Sequence, residues 1–224
     1  MQIIPVIDIK QGAVVRGMGG RRDTYRPIIS SLVPGSSPSD IAAAFADNFN
    51  AATVYVADID AIEQGEADIA SWRAISGQGL ELWIDAGVGN PHRARFVGET
   101  LQRASIRGSI VIGLESLPST GFLPELRDAA GDDAIFSLDL REGMPLCRSE
   151  HDRTLSPSDW ANLAVEAGFS RIIVLDLADV GSGRGTQTLD LCQLLRKQQP
   201  TLKLIAGGGV RHVDDLRNLA AAGR

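Results

Sequence analysis

The chain has 224 residues, 44% of them hydrophobic and 22% charged, and its formal net charge is −6. This acidic balance argues against a general nucleic-acid or anionic-membrane surface, so any anion site must be local. No apolar run approaches the roughly 18 residues of a membrane span, and the N-terminus resembles a strand rather than a signal peptide. Two cysteines and three histidines have no metal-like spacing, and we expect a reduced, cytoplasmic protein without a metal site.

Short β-branched runs alternate with longer amphipathic segments along the chain. Seven strands are predicted, at Ile3–Ile9, Thr53–Asp58, Leu82–Asp85, Ile110–Ile112, Ala134–Asp139, Arg171–Asp176 and Lys203–Ala206. Seven helices are predicted, at Ser39–Asn48, Ile69–Ser76, Pro91–Ala104, Leu123–Ala130, Ser158–Ala167, Leu189–Lys197 and Val213–Ala222. This alternation predicts an α/β fold with a parallel sheet and right-handed crossovers.

The two halves of the chain resemble each other. Matching pairs of segments are Ile3–Ile9 with Ala134–Leu140, Val54–Ile59 with Ile172–Leu177, and Leu82–Gly87 with Lys203–Gly208. Four βα units, doubled, predict a (β/α)8 TIM barrel formed as one domain over residues 1–224, with half-barrels at about 1–115 and 116–224.

An eighth strand is missing from this pattern. The fourth strand ends at Ile112, and its repeat partner would fall near position ~233, beyond Arg224. We therefore expect a barrel that lacks strand eight in this chain, with a truncated C-terminal end. The alternative is a seven-stranded sheet. Either would expose two sheet edges, which favours association.

Asp8 and Asp139 close matching strands in the two halves. Active sites of such barrels gather at the carboxyl ends of the strands, where one carboxylate can abstract a proton while the other donates one. The simpler interpretation is that each aspartate caps a helix or binds a loop amide.

Asp58 and Asp176 form a second matched pair of strand-end carboxylates. A glycine-rich loop with Arg184 and Thr186 follows Asp176 and is suited to closing over a polar, anionic ligand. On composition alone, a flexible surface loop explains it equally well.

Three glycines, Gly207, Gly208 and Gly209, end the seventh predicted strand ahead of a helix. Backbone amides in such a turn can approach a phosphate, and barrels often place a phosphate there. The counterpart in the first half keeps Gly87 but adds Asp85, which would repel a phosphate unless it orients a hydroxyl or an arginine.

A basic, glycine-rich loop follows the first strand. Its arginines are Arg16, Arg21, Arg22 and Arg26. They could clamp an anionic substrate, or simply form a solvated charged surface.

The chain resembles the histidine-biosynthesis barrels. The resemblance is carried by Ile4–Gly12 with Val14–Arg16, by Ser137–Asp139 and by Gly207–Arg211. It is closer to the phosphoribosylformimino-aminoimidazole carboxamide ribotide isomerase branch than to the cyclase branch, whose opening carries a cysteine motif absent here.

That resemblance implies an Amadori-type aldose–ketose isomerisation of a small sugar-like substrate with two phosphates, without metal or organic cofactor. It implies that Asp8 is the general base and Asp139 the general acid. It also implies one phosphate at Gly208–Gly209 and the other at Gly87 and Gly113.

Three positions depart from the pattern of that branch. Asp85-Ala86-Gly87 replaces a glycine triplet, Leu114-Glu115 follows Gly113, and Leu175 replaces a threonine. The Glu81–Gly87 segment is more similar to a paralogue group found beside methanopterin-linked one-carbon genes. Two alternatives therefore stay open: a paralogue with a different anionic ligand, and a non-catalytic phosphate-ligand-binding barrel. The sequence does not predict the oligomeric state.

Overall fold

The computed structural model describes residues 2–183 and 185–222. The strands are β1 (Val6–Lys10), β2 (Ala13–Val15), β3 (Thr53–Asp58), β4 (Glu81–Asp85), β5 (Gly108–Gly113), β6 (Ile135–Arg141), β7 (Met144–Pro145), β8 (Arg171–Asp176) and β9 (Lys203–Gly207). The helices are α1 (Pro38–Phe49), α2 (Ile59–Gln64), α3 (Ile69–Ser76), α4 (Pro91–Arg103), α5 (Leu123–Ala130), α6 (Pro157–Glu166), α7 (Leu189–Gln198) and α8 (Val213–Ala222).

The strands form one curled mixed sheet. Its parallel strands pair in chain order, β1-β3-β4-β5-β6-β8-β9, while β2 and β7 add short antiparallel hairpins to β1 and β6. Helices connect the successive parallel strands, as right-handed βα crossovers require. This α/β architecture is consistent with the predicted barrel, and the lack of an eighth parallel strand stays a prediction.

Two apolar layers lie on opposite faces of the sheet. The larger one packs the outer face against the helices and includes Trp72, Phe136 and Trp160, each almost fully buried. The inner layer contains Trp83, Val111, Ile135 and Ile173. Burial on both faces explains the continuous apolar runs of these strands, since each fully buried side chain contributes about 1.5–3 kcal/mol.

The register of the paired strands places three aspartates on the inner face of the sheet. Asp8 pairs with Ala57, which pairs with Asp85, which in turn pairs with Val111. Partners in a parallel ladder share a face, and side chains alternate along each strand. Asp8 and Asp85 therefore both point to the inner face, as does Asp139, four residues beyond Ile135.

The predicted elements agree closely with the observed ones, with three differences. Strand β1 begins at Val6 rather than Ile3, and Pro5, which has no N–H group, precedes it. Helix α2 follows β3 directly, because the Asp58 side chain caps it. The hairpin strands β2 and β7 are only three and two residues long, too short for a periodic signal. Among the described residues, no helix is both long and apolar enough to cross a bilayer.

Asp58 has a structural role that can be tested. Its buried carboxylate accepts from the Ala61 and Asp68 amides and from Nε1 of Trp72, at 2.8–3.0 Å. We predict that Asp58→Ala lowers the free energy of unfolding by about 2–3 kcal/mol, because three donors lose their acceptor. Urea unfolding measures this, with Asp133→Ala, whose side chain is 92% exposed, as control. An unchanged midpoint for Asp58→Ala would contradict the assignment.

Candidate active site at the carboxyl end of the sheet

A cavity of about 1060 Å³ runs through the inside of the curled sheet. Four carboxylates line it towards the carboxyl ends of the strands: Asp8, Asp85, Glu115 and Asp139. At the opposite end the lining residues include Arg171 and Lys203, which begin β8 and β9. The acidic end is the candidate active site.

Asp8 lies on β1 beneath the loop that follows β2. A methyl group added at Gly17 would lie 2.6 Å from Oδ2 of Asp8, so the loop backbone lies against the carboxylate. Burial raises the pKa of Asp8 to about 6, with Arg22 opposing and Asp85 adding to the shift. Across the described part of the chain, its side chain forms no hydrogen bond, which leaves both oxygens available to a ligand.

Asp139 lies on β6 and is 4% exposed. Its Oδ1 accepts from Oγ of Ser137 at 2.7 Å, and its Oδ2 accepts from the Glu115 amide at 3.3 Å. Burial, followed by the negative charges of Glu115 and Asp85, holds the pKa of Asp139 well above its usual range. Asp139 is therefore the carboxyl group suited to carry a proton at neutral pH.

Asp85 ends β4 between the two other aspartates. Oδ2 accepts from the Tyr55 hydroxyl at 3.2 Å, and Oδ1 accepts from the Gly87 amide at 3.1 Å. Burial, followed by Glu115, raises the pKa of Asp85 to about 6. A methyl group added at Gly113 would lie 3.0 Å from Oδ2 of Asp139 and 3.4 Å from Oδ2 of Asp85, so both carboxylates flank this glycine.

One cation enters this acidic end. Arg22, from the short 3-10 turn Arg22–Thr24, forms an ion pair with Glu115, and the two side chains are only 20% and 21% exposed. Burial lowers the pKa of Arg22, but its bond and attraction to Glu115 outweigh that effect. The guanidinium therefore stays charged and compensates part of the carboxylate charge.

Two loops meet over the cavity. The Gly19 amide donates to the Val180 carbonyl oxygen at 2.9 Å, and a methyl group added at Gly181 would lie 2.6 Å from the Gly17 carbonyl oxygen. The loop after β2 and the loop after β8 are thus in backbone contact, and they shield the carboxylates from bulk water.

The glycine turn after β9 faces the same cavity. Gly208 and Gly209 have positive φ, +83° and +72°, which a side chain would strain. Gly209 packs against the Gly185 carbonyl, and Oγ1 of Thr186 donates to the Gly208 carbonyl at 3.1 Å. Within residues 2–183 and 185–222, the amides of Gly209 and Val210 donate to no backbone or side-chain acceptor. They are available to an anion.

The structure brings most of the predicted site residues together. Around the cavity lie Asp8, Asp139, Gly207, Gly208 and Gly209, and Gly113 touches both inner carboxylates. Gly87 contributes its amide to Asp85, as described above. Thr186 supports the glycine turn.

Two predicted residues lie elsewhere. The Asp176 carboxylate accepts from the backbone amides of Glu142, Gly143 and Ala178 and holds the β6–β7 hairpin, like the capping role of its repeat partner Asp58. Arg16 is exposed and does not line the cavity. Arg184 lies outside the described residues.

Sequence reasoning missed two contributors, Tyr55 and Ser137, and did not distinguish a third, Arg22, from its neighbours. Tyr55 lies two residues before Ala57 on the inner face of β3, and Ser137 lies two residues before Asp139 on β6. Side chains alternate between the two faces of a strand, so the spacing of two residues could have placed both Tyr55 and Ser137 on the inner face. Arg22 was one of four arginines in its loop, and only the three-dimensional contact with Glu115 distinguishes it.

The model of the histidine biosynthesis protein family matches residues 2–224. The chain belongs to this family.

Its curated relatives include a protein of Hahella chejuensis named 1-(5-phosphoribosyl)-5-((5-phosphoribosylamino)methylideneamino)imidazole-4-carboxamide isomerase, 29% identical over 98% of this chain and 86% of the relative. An isomerase of the same name from Acaryochloris marina is 28% identical over 99% and 82%. An uncharacterized protein of Methanocaldococcus jannaschii is 27% identical over 96% and 85%. These names support an isomerase family.

A solved structure supports the fold alone. The carboxyl transferase domain of Rhizobium etli pyruvate carboxylase matches with a TM-score of 0.52 at 15% identity, over 83% of this chain. This chain spans about a third of that solved chain, 33%.

Charge burial at Asp85 predicts a pH-dependent stability. Its folded pKa of about 6 exceeds the ordinary value of 3.8, so the folded state binds the proton more tightly. The resulting penalty, about 3 kcal/mol, is fully present above pH 6 and disappears as pH falls towards 3.8. We predict that Asp85→Asn, which keeps the side-chain shape and one acceptor oxygen while it removes the charge, raises the melting temperature at pH 8 more than at pH 4.5. Equal shifts at both pH values, measured by calorimetry beside Asp133→Asn, would contradict the prediction.

Proposed function

We propose that this protein is an isomerase of a phosphorylated ribosyl-amine that converts the aldose to the ketose by Asp8/Asp139 acid–base catalysis. Two carboxylates from matching strands of the two half-repeats, the half-buried Asp8 and the buried Asp139, carry the proposal, because they line one cavity and desolvation raises the pKa of both. Relatives of this chain that are named isomerases support the same class of reaction, an isomerisation.

The first step is ring opening. Asp139, protonated at neutral pH, donates its proton to the ring oxygen of the ribosyl group while the bond from C1 to that oxygen breaks. The nitrogen lone pair on C1 forms the C=N bond, which gives a protonated imine and the Asp139 carboxylate. Ser137 and the Glu115 amide, which already donate to Asp139, stabilise the charge that develops there.

The second step moves a proton. Asp8 abstracts the proton from C2, and the electron pair of that bond forms the C1–C2 double bond of an enolamine as the imine nitrogen is neutralised. Tautomerisation transfers a proton to C1 and leaves a ketone at C2, so no atom is gained or lost. A base with a pKa of about 6 is deprotonated at neutral pH and is still basic enough to accept this proton.

The phosphate of the substrate is proposed to bind at Gly208 and Gly209. Their backbone conformation leaves no side chain between amides and ligand, and the amides of Gly209 and Val210 have no acceptor elsewhere in the described structure. Gly207, at the end of β9, keeps the approach open. The reaction draws on these side chains and amides without a cofactor.

A second candidate function has a specific observation in its favour. Asp85 and Glu115 lie in two of the segments where the chain departs from the pattern of the isomerase branch, and both face the cavity. This favours a paralogue with a different anionic substrate, of the kind linked to methanopterin-dependent one-carbon metabolism. A non-catalytic phosphate-binding barrel is the third possibility. If the folded protein binds phosphate but does not isomerise the ribotide named for the relatives, the paralogue and the non-catalytic barrel are favoured over the isomerase.

We predict a bell-shaped pH dependence of kcat/KM for the isomerisation. Activity rises as Asp8 loses its proton near pH 6, about two units above an ordinary aspartate, and falls at higher pH where Asp139 deprotonates. Initial rates between pH 4.5 and 9.5 measure both limbs. A rising limb near pH 4 would contradict the role of buried Asp8.

We also predict that Asp8→Asn and Asp139→Asn each lower kcat by roughly 10²–10⁴-fold, the usual contribution of a positioned acid or base. Folding should be preserved because asparagine has the same shape and removes a buried charge. Asp133→Asn removes one exposed carboxylate and serves as the matched control. Activity within threefold of wild type in either folded variant would rule out the assigned role.

A further inference from the structure

The turns after β4 and β9 are repeat partners with the same backbone shape. The strand registers align Gly87 with Gly209, because Ala57 pairs with Asp85 as its repeat counterpart Leu175 pairs with Gly207. Both glycines have positive φ, +66° and +72°. Each turn follows the carboxyl end of a parallel strand, where backbone amides can meet an anion. The two turns are therefore equivalent places for an anion.

The two turns differ in what their amides contact. After β4, the Gly87 amide donates to Oδ1 of Asp85 at 3.1 Å. The corresponding position in the second half is Gly207, which pairs with Leu175 as Asp85 pairs with Ala57 and has no side chain to accept from an amide. After β9, the Gly209 and Val210 amides have no acceptor among the residues described. The Gly87 amide of the first-half turn is therefore already bound by a carboxylate of the protein itself, whereas the matching Gly209 amide is not.

The neighbouring strand end repeats this arrangement. After β5, the Glu115 amide donates to Oδ2 of Asp139. Arg22, the cation at this end of the described cavity lining, forms an ion pair with Glu115. The Gly87 and Glu115 amides are therefore both bound by carboxylates of the protein. Arg22 is paired with Glu115, and Arg93 and Arg148 donate to the Ala86 and Glu115 carbonyl oxygens.

We infer that Asp85 is a specificity-determining residue that excludes a second phosphate. The ligand then carries one phosphate, and its other end is a neutral or cationic group rich in N–H or O–H donors. This inference rests on the proposed function for the location of the first phosphate, at the turn after β9. Asp85 acts as an internal anion in the turn after β4.

The chemistry of the other end follows from the groups that face it. Oδ1 and Oδ2 of Asp85, the carboxylate of Glu115 and the carboxyl of Asp139 are acceptors, and Tyr55 holds Asp85 in place. An amine or an amino-substituted ring would satisfy these oxygens, whereas a phosphate dianion would be repelled. At an effective dielectric constant near 20, that repulsion corresponds to a loss of affinity on the order of 100- to 1000-fold.

The test measures ligand binding rather than turnover. The probes are inorganic phosphate and the bis-phosphoribosyl ribotide named for the relatives, and the proteins are wild type, Asp85→Ala, Asp85→Asn and the control Asp133→Asn. Asp85→Ala removes the carboxylate, which the repeat position, Gly207, also lacks. Asp85→Asn keeps the side-chain size, removes the charge and replaces one acceptor oxygen by an NH2 group, so it carries the test if Asp85→Ala fails to fold.

Calorimetry and phosphorus NMR should find one phosphate site per chain in wild type and in Asp133→Asn, and two in Asp85→Ala. Ribotide affinity should rise by on the order of 100-fold in Asp85→Ala and by a smaller factor in Asp85→Asn. Two phosphate sites in wild type, or ribotide affinity unchanged by both Asp85 variants, would overturn the inference. A different outcome separates the two proposals. If wild type binds one phosphate and Asp85→Ala binds two, but wild type has no isomerase activity, the proposed function is refuted and this assignment stands.

Discussion

The burial of carboxylates at one end of a curled parallel sheet is the constraint on which this site depends. Asp8, Asp85 and Asp139 leave water together, and burial is the largest cause of the raised pKa of each. A protein does not bury three carboxylates without compensation, because each unpaired charge is strongly disfavoured. Here the compensation consists of backbone amides, the Tyr55 hydroxyl and the ion pair that Arg22 forms with Glu115, together with retained protons.

The same constraint gives the aspartates different roles. Asp139 has the more negative surroundings and keeps its proton, whereas Asp8 faces the opposing charge of Arg22 and loses its proton near pH 6. Asp85 differs from both because it accepts from the Gly87 amide of its own strand-end turn, as well as from the Tyr55 hydroxyl. The half-repeat is therefore symmetric in backbone but asymmetric in charge, and the asymmetry separates an acidic end of the cavity from an amide-rich turn after β9.

Sequence periodicity predicted the parallel strands and seven of the helices because buried runs and amphipathic segments leave a local pattern. It could not predict α2, whose start depends on the Asp58 cap, or the β2 and β7 hairpins, which are too short to show a period. For the site, the strand-end aspartates were visible in sequence, since position along a buried strand fixes the face. The roles of these aspartates were not visible in sequence, because they depend on contacts between distant segments. Asp58 and Asp176 bind backbone amides, whereas Asp8 and Asp139 line the cavity.

The most direct test of the central claim is a site-resolved titration of the aspartate carboxyl carbons by NMR, on protein labelled at aspartate. Assignments come from spectra of Asp8→Asn, Asp85→Asn and Asp139→Asn. The account predicts that Asp8 titrates near pH 6 and that Asp139 still holds its proton at pH 7. Titration of both carboxyls near pH 4, as for exposed aspartates, would contradict the claim that burial sets one as base and the other as acid.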